Sequence, residues 1–153
     1  MIVVEPTSPR ANGTQDLLEL SHALMLSLFS PESCHFLDLD ALEADNIHLF
    51  AAREGLDFLG TGALAIKDGY GEVKSMFTLE AARGKGVGAA LLRQLEDTAR
   101  EHGLTSLKLE TGDTLHAAHR LYERNGFTFC GPFGHYKDIP ESLFMVKSLE
   151  TDQ

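Results

Sequence analysis

The densest chemical signal in this chain of 153 residues is the stretch Leu79-Glu80-Ala81-Ala82-Arg83-Gly84-Lys85-Gly86-Val87-Gly88-Ala89-Ala90-Leu91-Leu92. A strand-like pattern enters it and a helical pattern leaves it. Between them three glycines alternate, with Arg83 and Lys85 beside them. The first turn of a helix has backbone N–H groups without intrahelical partners and a partial positive charge, so it binds phosphate groups well. Glycines let the backbone close on a ligand with no Cβ in the way. Arg83 and Lys85 add positive charge at the rim. A turn that only joins a strand to a helix needs fewer glycines than this. The chemistry expected here is diphosphate binding by backbone amides from Arg83 to Gly88, continuing to Ala89.

Two other nucleotide-binding patterns compete. Gly84, Gly86 and Ala89 satisfy G-x-G-x-x-G/A, the dinucleotide fingerprint, and Glu110 lies near the distance of a ribose-binding acid. The context opposes that reading. Four residues, Glu80 to Arg83, separate the strand from Gly84, and no second βαβ unit has room to follow. A phosphate-binding P-loop is excluded, because no Gly-Lys-Ser/Thr follows the glycines.

The elements that must position this loop follow from periodicity. Residues 2–4 read as a short strand ended by Glu5-Pro6. Thr14 is expected to cap a helix running to about Phe29, with Leu17, Leu20, Leu24 and Leu28 at helical spacing, stopped by Ser30-Pro31. Residues 33–36 read as loop and 38–43 as a short helix. The period then shortens. Residues 47–53 and 58–66 read as a hairpin turning at Glu54-Gly55, followed by a turn at Lys67-Asp68-Gly69 and a strand over 72–79. A helix is expected over 86–102 with Val87, Leu91, Leu92 and Leu95 on one face and Gly103 as its stop. A strand over 104–110, a helix over 116–124 ended by Asn125-Gly126, and strands over 127–130 and 143–147 complete the order. The result is one α/β domain, residues 1–153, with a mixed sheet flanked by helices.

A second pattern lies downstream in Ala118-His119-Arg120-Leu121-Tyr122-Glu123-Arg124-Asn125-Gly126-Phe127. With the loop Arg83-Gly84-Lys85-Gly86-Val87-Gly88 it resembles the GNAT acetyltransferase superfamily. That family's loop is Gln/Arg-x-x-Gly-x-Gly/Ala, and its later helix reads A-x-x-L-Y-x-x-x-G-F before a strand. Both motifs fit at every specified place, and the resemblance covers residues 47–147 and, more loosely, the helical N-terminal part. It implies a mostly antiparallel sheet, splayed between the two strands at the cofactor site, with about four helices. It also implies acetyl-coenzyme A as co-substrate. Main-chain groups of Met76, Phe77 and Thr78 would then pair with the pantetheine arm as if it were an added strand. Tyr122 would donate a proton to the leaving thiolate, or it is a core aromatic on an amphipathic helix. One departure stands out. Many members carry a polar, cofactor-contacting residue three places before the motif alanine, where this chain has Leu115.

Acetyl transfer to an amine needs a base for the ammonium and a stabiliser for the developing oxyanion. In a fold of this kind Glu72 and Glu110 lie on the two splayed strands, and either can act, directly or through water. Glu72 is preferred because the same strand face carries Lys74 and Met76; both are otherwise solvated strand-end charges. His22 and His35 fall in the part that shapes the acceptor pocket in relatives, and they, Lys74 and Tyr136 are the expected substrate contacts. His116 and His119, three apart on one helix, could face a zinc ion, but no third ligand has the spacing, so no metal is expected. Residues 131–145 resemble a branch often assigned small amino-acid-like or indole-acetate-type acceptors. The segment 131–136 either caps the acceptor site or only connects strands.

Composition bounds the partners. A net charge of -10 argues against a nucleic-acid surface. No secretory signal is evident, and the apolar run near Leu24 is too short to span a bilayer, so neither a membrane nor an exported setting is expected. Cys34 and Cys130 match no metal or redox pattern and read as free thiols of a cytoplasmic protein; they offer no acetyl-enzyme nucleophile. Direct transfer to a primary amine of a small molecule is the expected activity. A lysine or N-terminal protein acetyltransferase, a non-catalytic acyl-coenzyme A sensor and a nicotinamide-binding protein are the rivals. A homodimer is compatible with the chain.

Overall fold

The computed structural model describes residues 1–150; the last three residues of the expected domain lie outside the described residues. The strands are β1 (Ile2–Pro6), β2 (Ile47–Glu54), β3 (Asp57–Ile66), β4 (Gly71–Thr78), β5 (Ser106–Gly112), β6 (Thr128–Cys130) and β7 (Ser142–Ser148). The helices are α1 (Thr14–Leu28), α2 (Leu39–Leu42), α3 (Val87–Glu101) and α4 (His116–Arg124). All strands join one seven-stranded sheet in the order β1-β2-β3-β4-β5-β7-β6. Every neighbouring pair is antiparallel except β4 with β5.

Alternation along the strands divides the core in two. Phe50, Leu64, Val73, Leu107, Leu109 and Met145 pack on α3 and α4, whose Leu91, Leu95 and Tyr122 meet them. Their neighbours Leu49 and Ala63 face the other way, onto Leu18 of α1 and Leu42 of α2. The sheet is therefore sandwiched between helical layers.

The parallel pair is short. β4 and β5 pair only at Gly71 with Leu107 and Glu72 with Lys108, while β5 stays paired with β7 along its whole length. Beyond Glu72 the two strands part. The cause lies in β4, where the register against β3 shifts between Thr61 and Ala63. Among the described residues Ser75 is the non-glycine residue with positive φ, at 56°, and it lies in the bulge. Buried Thr61 donates its hydroxyl to the Ser75 carbonyl at 2.8 Å and holds the kink. Opposite, Gly62 has no Cβ; one placed there would lie 2.8 Å from the Met76 sulfur. The bulge changes the alternation, so Met76 joins Val73 in packing on the α3 side. Met76 therefore does not share a face with Glu72 and Lys74, contrary to the sequence expectation.

Other details depart from the sequence reading. Thr14 does not cap α1: Gly13 holds the N-cap at φ 84° with no side-chain cap bond. Thr14 is buried and its hydroxyl meets that of Thr7 at 2.8 Å. A Cβ at position 13 would collide with the Phe58 ring at 2.3 Å, so packing selects the glycine there. The hairpin turns at residues 55–56, β1 includes Glu5 and Pro6, and β5 begins and ends two residues later than expected. The leucine stripe of α1 also misleads. Leu17 and Leu18 are buried, but Leu20 is 52%, Leu24 36% and Leu28 48% exposed. By contrast Val87, Leu91, Leu92 and Leu95 of α3 are buried as the period requires.

Leu95→Ala should cost about 2–5 kcal/mol of unfolding free energy through the cavity it leaves. Leu20→Ala should stay within about 0.5 kcal/mol. Urea denaturation of the two variants measures the contrast.

Candidate active site

The glycine loop sits where β4 hands over to α3. A short 3-10 turn over Glu80–Ala82 separates them, and the Arg83 amide is spent there on the Glu80 carbonyl at 3.2 Å. Arg83 thus has no free backbone N–H to offer a ligand. From Gly84 to Ala89 the amides find no backbone acceptor among the described residues, and the N-cap of α3 has no side-chain hydrogen bond. Six consecutive open amides at a helix N-terminus form an anion cradle. Gly84 and Gly86 both lie at φ 84° with open space where a Cβ would be. Gly88 serves packing instead, since a Cβ there would meet Leu121 of α4 at 2.6 Å; its absence lets the two helices approach. Lys85 leans toward Glu54, with 3.6 Å between Nζ and Oε1.

From that cradle the edge of β4 runs past Thr78, Phe77 and Met76, paired with β3 on one side and with no strand on the other. It leads to a cavity of about 130 Å³ in the notch between β4 and β5. The notch is an opening through the sheet. Lys74, Ser75 and Met76 form one lip and Glu110 the other, with Tyr122 of α4 on one side and His35, Met25 and Phe29 on the other. Ser75 Oγ is buried without a hydrogen-bond partner. A roomier cavity, about 430 Å³, lies between the middle of α3 and the turn after α4, and none of the expected site residues lines it.

Tyr122 is 6% exposed, and burial, followed by the Glu110 charge, pushes its phenol well above the ordinary range. The phenol therefore stays protonated and can donate. Glu110 accepts the Ser142 hydroxyl at 2.7 Å on Oε2, the oxygen that also lies 3.2 Å from His35 Nδ1. Glu72 is placed differently. It is 4% exposed, Tyr136 donates its hydroxyl to Oε2, and Lys74 Nζ lies 3.4 Å from the same oxygen. Lys74 also donates to the His35 carbonyl and to the Tyr136 hydroxyl, each at 2.8 Å. Burial first, and Glu72 second, raise the Tyr136 pKa. Lys74, Glu72 and Tyr136 thus form a closed network beside the cavity.

The segment 131–141 that carries Tyr136 is pinned by aromatic contacts. Phe133 and Tyr136 pack edge to face at 5.2 Å, and each meets Phe144. His22 lies apart: its ring stacks on Phe36 at 4.2 Å, burial lowers its pKa, and it does not line the cavity. His119 is bound through Nε2 to the Gly112 carbonyl at 2.8 Å, which ties α4 to the end of β5. Cys34 and Cys130 are free thiols. Leu115 is the N-cap of α4 and lines the cavity. Sequence reasoning misses the bulge at Ser75 and the partnership of His35, Glu110 and Ser142. The pair of glycines at 60 and 62, opposite the kink, is the available signal for the first; nothing local signals the second.

The profile of the acetyltransferase (GNAT) family matches residues 15–127. The chain belongs to that family. It is an acetyl-coenzyme A-dependent N-acetyltransferase. An IAA acetyltransferase of Azospirillum brasilense is 41% identical over 150 residues, which are 97% of this chain and 98% of that protein. An N-acetyltransferase of Bacillus subtilis is 39% identical over 132 residues, covering 84% and 87% of the two chains. A Klebsiella pneumoniae structure described as an acyl-CoA N-acyltransferase superposes with a TM-score of 0.86 at 31% identity, covering 98% of this chain and 99% of that one. No helix among the described residues is long and apolar enough to cross a membrane.

Valine at Gly86 should strain this acetyltransferase's loop by about 1–2 kcal/mol. Acetyl-coenzyme A affinity should fall roughly tenfold, since that factor corresponds to about 1.4 kcal/mol. Titration calorimetry on Gly86→Val reads it, and wild-type heats would remove the cradle from the site.

Proposed function

We propose that the chain moves an acetyl group from acetyl-coenzyme A to a primary amine of a small molecule by direct attack. The observation that carries this reading is the continuous path from the open amides of Gly84–Ala89, along the bare edge of β4, to a small cavity where Tyr122 and Glu110 meet. The diphosphate rests on the amides, with Arg83 and Lys85 at the rim. The pantetheine arm pairs with Met76, Phe77 and Thr78. The thioester then lies in the notch, over Tyr122.

The cavity supports a small acceptor. Its volume is about 130 Å³, and the ends of α1 and β5 wall it, with the Phe29 ring where a side chain on Gly112 would be. An extended peptide would need an open groove. Glu110 and Glu141 line the cavity, which favours a cationic, amine-bearing acceptor. Lys74 lines it too, but its three N–H groups face the His35 carbonyl, Tyr136 and Glu72, so it has none to spare for an acceptor carboxylate. The same saturation assigns Glu72 to holding the 131–141 segment in place, and leaves Glu110 as the carboxylate that faces the acceptor cavity.

Tyr122→Phe should lower kcat by about two orders of magnitude or more, the usual scale of a lost proton donor. Acetyl-coenzyme A affinity should be unchanged. Thiol release with a panel of primary amines, beside calorimetry, tests it: full turnover by the variant overturns the role of Tyr122. Absence of turnover by the wild type across the panel favours the sensor or protein-substrate readings.

A further inference from the structure

We propose that His35 is the base that takes the proton from the acceptor ammonium, through Nε2, and that Glu110 and Ser142 are positioning residues for its ring. This rests on the amine-acetylation reading above. His35 lies in the irregular stretch between α1 and α2, yet it is fixed at both ends. Its carbonyl accepts Lys74 Nζ at 2.8 Å, and its ring meets the Tyr136 ring edge to face at 5.2 Å. Nδ1 lies 3.2 Å from Glu110 Oε2, which already accepts the Ser142 hydroxyl at 2.7 Å. An ionised carboxylate only accepts, so this contact requires hydrogen on Nδ1 and leaves the lone pair on Nε2. His35 lines the notch cavity, and among the described residues its ring makes its hydrogen bond through Nδ1 alone, which leaves Nε2 for an acceptor.

Glu72 is engaged by Tyr136 and Lys74, and Oε2 of Glu110 is shared by Ser142 and His35. An imidazole is also intrinsically a stronger base than a carboxylate, which suits removal of a proton from an amine. The charged and titratable groups around the ring are Glu110 from β5, Lys74 and behind it Glu72 from β4, and Tyr136 from residues 131–141, with Cys34, Tyr122 and Glu141 also lining the cavity. The Glu110 charge balances the imidazolium once it forms.

The step conserves protons. The acceptor R–NH3+ gives one proton to Nε2, and the freed nitrogen lone pair attacks the thioester carbonyl carbon. The C–S bond breaks, Tyr122 protonates the departing thiolate, and the second nitrogen proton returns to Tyr122. The imidazolium then releases its proton to water. The products are an acetamide, free coenzyme A thiol and one proton.

His35→Asn tests the assignment, because its amide keeps a donor near the Nδ1 position while removing the base; His35→Ala is the second variant. Thiol release is measured with primary alkylamines across pH, beside thermal melting and acetyl-coenzyme A calorimetry. Both variants should melt and bind acetyl-coenzyme A like the wild type, and lose about 10²-fold or more in kcat at neutral pH. The pH profile of kcat/KM should differ in shape from that of the wild type, and free imidazole should restore part of the rate to His35→Ala. A variant that keeps the wild-type kcat and pH profile overturns this inference alone. A wild type that acetylates no amine overturns the acetylation reading and this inference with it.

Discussion

The whole site depends on one strand parting from its neighbour. A parallel pair normally satisfies its backbone groups along its length, because buried N–H and C=O groups without partners are costly. Here β4 and β5 stop pairing after Glu72, and the kink at Ser75 keeps them apart. A left-handed non-glycine residue costs on the order of 1–3 kcal/mol, and it persists only where its surroundings enforce it. The Thr61 hydroxyl and the missing Cβ at Gly62 supply that enforcement from β3. The edge that results has unpaired backbone groups, and the opening lets Tyr122 line the same cavity as His35 and Glu110. An unbroken sheet would separate those groups.

Around this opening the polar side chains fall into two sets. Glu72, Lys74 and Tyr136 satisfy one another almost completely. Buried charges are tolerated when paired and hydrogen-bonded in this way, and removal of one member exposes the cost of the others. That set connects β4 to the segment before β7 and to the backbone at His35. Glu110, His35 and Ser142 form the second set, joined at one carboxylate oxygen, with Glu110 and His35 lining the cavity. The first network is closed on itself, and the second meets the cavity.

What can be read from the sequence follows the range of each interaction. The loop 83–88 and the helix carrying Tyr122 are legible because their chemistry is written in consecutive residues. The same holds for α3, whose apolar period matches its buried face. The stripe of α1 reads as core because periodicity reports amphipathicity and not what covers the face; Leu20 and Leu24 have no layer over them. The preference for Glu72 rests on strict strand alternation, which the bulge interrupts at Ser75. The contact between His35 and Glu110 spans 75 positions, and no local pattern encodes it. Gly88 matches a ligand motif while also serving helix packing, so one residue type answers two constraints.

α1 is anchored unevenly. Its first half is seated by Thr14, Leu17, Leu18 and Ser21, whereas its second half lends Met25 and, just beyond the helix, Phe29 to the cavity wall, with Leu24, Leu26 and Leu28 open to solvent. The glycine loop and the unpaired strand edge belong to other elements, α3 and β4. Substitutions near the end of α1 therefore reshape the cavity wall without touching that loop, so the two ends of the path can vary independently.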